Sequence, residues 1–120
     1  MSKSIIGNKS FEFAIKIVYF YKKFSLEKKE FVISKQVLRS GTSIGANVRE
    51  ALNAQSKMDF IHKLSISQKE CDETIYWLEL LFVTDYISKE EFESLKNPAV
   101  EILKIIRSII ITTKNKTHNS

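Results

Sequence analysis

Three glycines and one proline punctuate the chain, and none of the four falls between Ala46 and Asn97. A turn-rich β fold needs a break every roughly 8–12 residues. Segments this long without breakers favour helices. With 120 residues, the chain has room for one domain, residues 1–120, around one core.

Apolar periodicity and capping residues predict four helices. The first covers about 10–24, where Phe11, Ala14, Val18 and Tyr21 recur at i, i+3, i+7 and i+10 and mark its inner face. The joint "SLEKKE" follows, with Ser25 as a cap. The second helix covers about 30–55. "SKMD" opens the third through Ser56 and Asp59, spaced as a capping box, and this helix runs over about 57–85. "SKEE" opens the fourth, about 88–113, through Ser88 and Glu91, and Pro98 either kinks that helix or restarts it. Residues 114–120, "KNKTHNS", form a polar tail. The expected fold is all-α, an up-down-up-down four-helix bundle. The alternative is a pair of helical hairpins that completes its core by oligomerising.

Two glycines, Gly41 and Gly45, stand in the middle of the second helix, where each costs about 1 kcal/mol against alanine. On a helical wheel they share a face with Val37, Ile44, Val48, Ala51 and Leu52. Their role on that face is close approach of another helix backbone. Ser40, Ser43 and Asn47 form a polar shoulder beside it, able to bond a neighbouring helix or subunit. On the third helix, Phe60, Leu64, Cys71, Ile75, Leu78 and Phe82 make the core face. Ile66, Trp77 and Leu81 fall to the other side and are candidates for a subunit interface. The interface or close-packing candidates are therefore Ser40, Gly41, Ser43, Gly45, Asn47, Ile66, Trp77 and Leu81.

Charge is uneven. The formal net charge is +5; residues 1–56 carry ten Lys/Arg against four Asp/Glu, and residues 57–120 carry nine against ten. A basic half suggests an anionic partner, RNA or DNA. Two stripes are candidates for tracking a phosphate backbone. Lys9, Lys16 and Lys23 recur every seven residues on the first helix, and Lys35, Arg39 and Arg49 share the face of the second opposite the glycines. Aromatic residues are not clearly interleaved with them.

Several classes drop out. One cysteine, Cys71, cannot form an intramolecular disulfide. The start of the chain lacks the apolar core of a signal peptide, and Glu101, Lys104 and Arg107 interrupt the most apolar run, so no membrane span is expected and the cytoplasm is the default location. A di-iron bundle needs two Glu-x-x-His pairs, and the nearest match is a single Asp59-x-x-His62. There is no Cys/His zinc spacing, no phosphate loop and no serine elbow. No enzyme, no cofactor and no metal is expected.

The stretches "LRSGTSIGANVREA" (38–51) and "DFIHKLSISQKECDETIYWLELL" (59–81) resemble the bacterial proteins encoded by intervening sequences of 23S ribosomal RNA genes. The carrying positions are Arg39, Ser43, Ile44, Ala46, Asn47, Val48 and Glu50, then Asp59, Phe60, Glu73, Thr74, Trp77 and Leu78. The chain departs from the family pattern at Phe24-Ser25, where Pro often follows Phe, and at Arg39-Ser40, where two basic residues are common. The resemblance implies a left-handed bundle that assembles into a ring-like homopentamer. Related bundles serve retroelements as accessory proteins that bind nucleic acid and a reverse transcriptase. The expected function is thus a non-enzymatic homo-oligomer with basic surfaces for RNA or DNA. The rival is a protein-interaction scaffold.

Overall fold

In the computed structural model, residues 4–119 are described, with side chains through residue 116. They form four helices: α1 (Ile5–Lys28), α2 (Ile33–Leu52), α3 (Lys57–Val83) and α4 (Lys89–Asn119). Each packs on its neighbours in sequence, and α1 closes the ring of contacts against α4. The backbones of the diagonal pairs α1/α3 and α2/α4 do not approach closely, and their side chains share one core. This is the expected four-helix bundle, 53 × 26 × 21 Å.

Each helix starts where a side chain satisfies its first free N–H groups. Ser4 accepts from Gly7 N–H at 2.9 Å, Ser56 from Asp59 N–H at 3.0 Å, and Ser88 from Glu91 N–H at 3.1 Å. The cap of α2 is a carboxylate. Glu30 accepts from the N–H groups of Val32 (3.0 Å), Ile33 (2.9 Å) and Ser34 (2.8 Å). Partial burial pushes the Glu30 carboxyl up, but these three donors outweigh it and hold the group below its usual range. α3 ends in a Schellman turn: Asp85 sits at φ 68°, Tyr86 N–H reaches Leu81 C=O at 2.9 Å, and Asp85 N–H reaches Phe82 C=O at 3.1 Å.

Helix bounds differ from expectation at several places. α1 starts five residues earlier because Ser4 caps it. Ser25 lies inside α1, donating to Tyr21 C=O at 2.7 Å, and α1 runs on to Lys28, capped by Lys29 at the left-handed φ of 53°. α2 begins after Glu30 rather than at it. α4 runs on through Pro98 and into the stretch expected as a tail, whose last residue, Ser120, and the side chain of His118 lie outside the described residues.

Passage through Pro98 has a physical support. Proline has no N–H, so the C=O four residues back, Ser94, loses its helical donor. The Lys16 ammonium supplies one from α1, at 2.6 Å.

The core is built from one stripe of each helix, including Phe13, Ile17 and Phe20 of α1, Ile44 and Val48 of α2, Leu64 and Leu78 of α3, and Ile102 and Ile106 of α4. Gly41 and Gly45 carry the α1–α2 seam, as their place on the wheel predicts. A Cβ on Gly41 would lie 2.9 Å from Ile17 Cγ1, and one on Gly45 would lie 3.1 Å from the backbone oxygen of Ser10. Buried hydroxyls tie α2 to α3: Ser67 donates to Ile44 C=O at 2.8 Å, and the Thr74 hydroxyl lies 2.9 Å from Ser40 Oγ.

Candidate functional site

α1 carries two apolar stripes. The inner one is Ile6, Phe13, Ile17, Phe20 and Phe24, all buried. The stripe expected to face the core, Phe11-Ala14-Val18-Tyr21, lies on the α2 side and toward solvent instead. Phe11 is 52% exposed and Val18 40%. Ile15, Tyr19 and Leu26 extend this outward face along the helix, all exposed. A helix with an apolar outward face as well as an apolar inner one leaves apolar surface to be covered. The outward face of α4 is the opposite case, with Glu90, Glu93, Glu101, Lys104 and Arg107 exposed.

A groove of about 740 Å³ opens beside the outward stripe, between α1 and α2. Small residues make it: Gly7 and Ala14 from α1, Thr42, Gly45 and Ala46 from α2. Phe11, Arg49 and Leu52 also line it. The Arg49 guanidinium lies over the Phe11 ring, 5.3 Å from its centroid, and has no ion-pair partner among the described residues.

The six basic candidates do not gather on one surface. Lys9 pairs with Glu101 at 2.9 Å and Lys16 holds the Ser94 carbonyl, so both lean toward α4. Arg39 leans toward α3, where it pairs with Glu70 at 3.4 Å and with Glu73. The hydrogen bond to Glu73 is the main cause that raises the Arg39 pKa. Glu73 also accepts from Trp77 Nε1 at 3.0 Å. That bond, ahead of Arg39 itself, holds the Glu73 carboxyl below its usual range. Arg49 leans toward α1. Lys23 and Lys35 stand exposed at the end of the bundle where α1 passes into α2. Sequence reasoning missed Lys22, Lys28 and Lys29 at the same end. None of these five lysines forms an ion pair among the described residues. Clustering in the sequence between positions 22 and 35 was the available signal.

The interface candidates also divide. Gly41 and Gly45 serve close packing within the chain. Ser40 is buried at the α2–α3 seam, while Ser43 and Asn47 bond back to their own helix, at Arg39 C=O (2.6 Å) and Ser43 C=O (2.9 Å). Leu81 is fully buried in the core rather than on an outer side, because α3 meets both α2 and α4 and its inner face is wide. Ile66 is half-buried, and Trp77 is half-buried against the core with Tyr76 edge-on at 5.0 Å. Cys71 is buried. Desolvation first, then Asp72, pushes its thiol up to about 12, which leaves it protonated and unreactive at neutral pH. Among the described residues, no group of three or more His, Cys, Asp or Glu side chains is placed to hold a metal ion, and no helix is long and apolar enough to cross a membrane.

The family model of the 23S rRNA-intervening sequence protein matches residues 2–108. The chain belongs to this family. A crystal structure of a protein of unknown function from the S23 ribosomal protein family of Bacteroides thetaiotaomicron is similar to it, with 58% identity, a TM-score of 0.87, and coverage of 88% of this chain and 98% of that one. No functionally curated protein matches. Within the "SGTSIGAN" stretch lie both glycines of the α1–α2 seam and the Ser40 hydroxyl that meets Thr74.

Proposed function

We propose that this member of the intervening-sequence family is a non-catalytic assembly protein of the cytoplasm, whose subunits join through the outward face of α1 and the α1–α2 groove into a ring-like homo-oligomer. The family resemblance sets five as the expected subunit number. The observation that carries the reading is α1 itself, which is apolar on its inner and outer faces while the outer one lies open. Light scattering tests it. The wild-type chain runs as an oligomer at micromolar concentration. Ile15→Glu, at an exposed position, runs as a monomer with its melting temperature nearly unchanged. A wild-type monomer overturns the proposal.

Binding of RNA or DNA is a second reading, favoured by the five lysines near the α1–α2 turn that have no acidic partner. It no longer rests on Lys9, Lys16 and Arg39, each of which has a partner within the chain. Repetition around a ring would multiply a weak basic patch. In a salt series, log K for single strands falls with a slope of about −0.7 per phosphate neutralised. Replacing Lys28 and Lys29 with alanine then flattens the slope by about 1.4. Absence of binding at low salt leaves a scaffold for protein partners.

A further inference from the structure

The turn from α1 into α2 puts apolar side chains into solvent at one end of the bundle. Leu26 and Val32 are each 75% exposed, and Phe31 is 46% exposed. A connection between helices is ordinarily polar. Three large apolar side chains around one turn therefore leave surface to be covered. The backbone that carries them is fixed. Lys29 reverses the chain at its left-handed φ, and Glu30 accepts from the N–H groups of Val32, Ile33 and Ser34. Phe31 and Val32 are held outward by an ordered turn, so engaging them costs little conformational entropy.

Charge at this end is divided between its two halves. Lys22, Lys28, Lys29 and Lys35 are exposed and form no ion pair among the described residues. Lys28 lies five helical turns after Ser10, which packs on Gly45, so it stands on the α2 side of α1. Lys35 lies near the line of Thr42 and Arg49, on the side of α2 that opens to the groove. The acids of this end sit elsewhere. Glu27 lies five turns after Lys9, which pairs with Glu101, so it faces α4, one turn from Lys23. Glu79, Asp85, Glu90 and Glu91, with Lys89 among them, belong to the end of α3, the α3–α4 turn and the start of α4. That turn shares this end of the bundle, since the Tyr86 ring lies 6.0 Å from Phe24. The Glu30 charge is spent on the three N–H groups. The apolar tips and four unpaired lysines thus lie over α1 and α2, and the free acids toward α3 and α4.

We infer that the α1–α2 edge of this end docks on the surface of a bilayer that contains anionic lipid. Leu26, Phe31 and Val32 enter the headgroup boundary, and the four lysines meet the lipid phosphates. The bundle stands tilted, with its acidic half away from the surface. Aliphatic tips set among lysines favour a bilayer over nucleic acid. Leucine and valine have no ring to stack on a base and no group to bond its edge, whereas their transfer from water into the bilayer interface is favourable. Lysine suits the same boundary, because its stem lies along apolar surface while its ammonium stays in water. A small apolar anchor binds a membrane only marginally, and a basic patch beside it makes the contact stable. The inference does not rest on the assembly reading. Phe31 and Val32 lie beyond the last residue of α1, past the face proposed for assembly, and copies joined side by side multiply the contact without being required for it.

Sedimentation with lipid vesicles tests it. The wild-type chain is expected to sediment with vesicles of one part phosphatidylserine to two parts phosphatidylcholine, and to stay in solution with phosphatidylcholine alone. Lys28→Ala with Lys35→Ala lowers the partition coefficient about twentyfold. Leu26→Ser with Val32→Ser lowers it about tenfold. Met58→Ser, at the opposite end of the bundle and 83% exposed, leaves it unchanged. All five positions are exposed, and melting curves verify that each variant folds. Four results overturn the inference. The wild type stays in solution with the anionic vesicles at low salt. It binds neutral and anionic vesicles alike. The Leu26/Val32 variant binds as well as wild type, which leaves a purely ionic contact of the kind nucleic acid makes. Met58→Ser weakens binding as much as the Leu26/Val32 variant does. Light scattering on the wild type decides the assembly reading separately.

Discussion

α1 has two seams, and they are made differently. Toward α2 the helices meet almost backbone to backbone, with Gly45 against the Ser10 carbonyl and Gly41 against Ile17. Toward α4 the contact is less extensive and is bridged by long side chains, Lys9 to Glu101 and Lys16 to the Ser94 carbonyl. The first seam has no slack, since a rigid backbone cannot yield to an added atom. The second is adjustable, because a lysine can shift its ammonium by rotating its stem. Tolerance to substitution should therefore differ sharply on the two sides of one helix.

Gly45→Leu is the harshest test of the tight seam. Its side chain meets the α1 backbone, and thermal or denaturant unfolding should report a loss of about 3 kcal/mol. Gly41→Ala adds one carbon against Ile17. The overpacking outweighs the gain in helix propensity, for a net loss of about 1–2 kcal/mol. Should Gly41→Ala stabilise the chain, the seam has more room than its geometry indicates.

Glu30→Gln probes how α2 is started before it can pack. Losing the charged acceptor of three N–H groups should cost about 1 kcal/mol. The pH dependence has a defined sign. The folded carboxyl sits below its ordinary value of 4.5. Its stabilisation is complete above about that pH and disappears as pH falls through the lowered folded value. Urea unfolding of the wild type at pH 7 and pH 3.5 should differ by more than that of Glu30→Gln. Lys16→Met, on the adjustable seam, should cost least. The Ser94 carbonyl loses its donor but water can replace it, so about 0.5–1 kcal/mol is expected. If Lys16→Met proves as costly as Gly45→Leu, the contrast between the seams is wrong.

Much of this fold was legible in the chain. The caps at Ser56 and Ser88 and the close packing at Gly41 and Gly45 follow from local chemistry, and the structure bears them out. The α1 face did not. Helical spacing identifies stripes but does not rank them, and α1 has two: Phe11-Ala14-Val18-Tyr21 obeys the period as well as Phe13-Ile17-Phe20-Phe24 does. Which one faces inward depends on where α2 and α4 sit. The fate of the cations was hidden for the same reason. Nothing near Lys16 in sequence announces that its partner is the carbonyl left bare by Pro98, 82 residues further on. Leu81 was misplaced because α3 is covered on two sides, so its buried arc is wider than one stripe.

The sealed state of Cys71 has a practical side. Its thiol is the chain's only one, fully covered and protonated at neutral pH. A maleimide or a mild oxidant will pass it by while the bundle is folded. A cysteine introduced on any outer surface would then be the single reactive thiol of the molecule. Dyes, spin labels and crosslinkers could be placed one position at a time without first removing the native residue. Labelling at Cys71 itself would report on opening of the core, and its slow rate would clock the unfolding of the bundle.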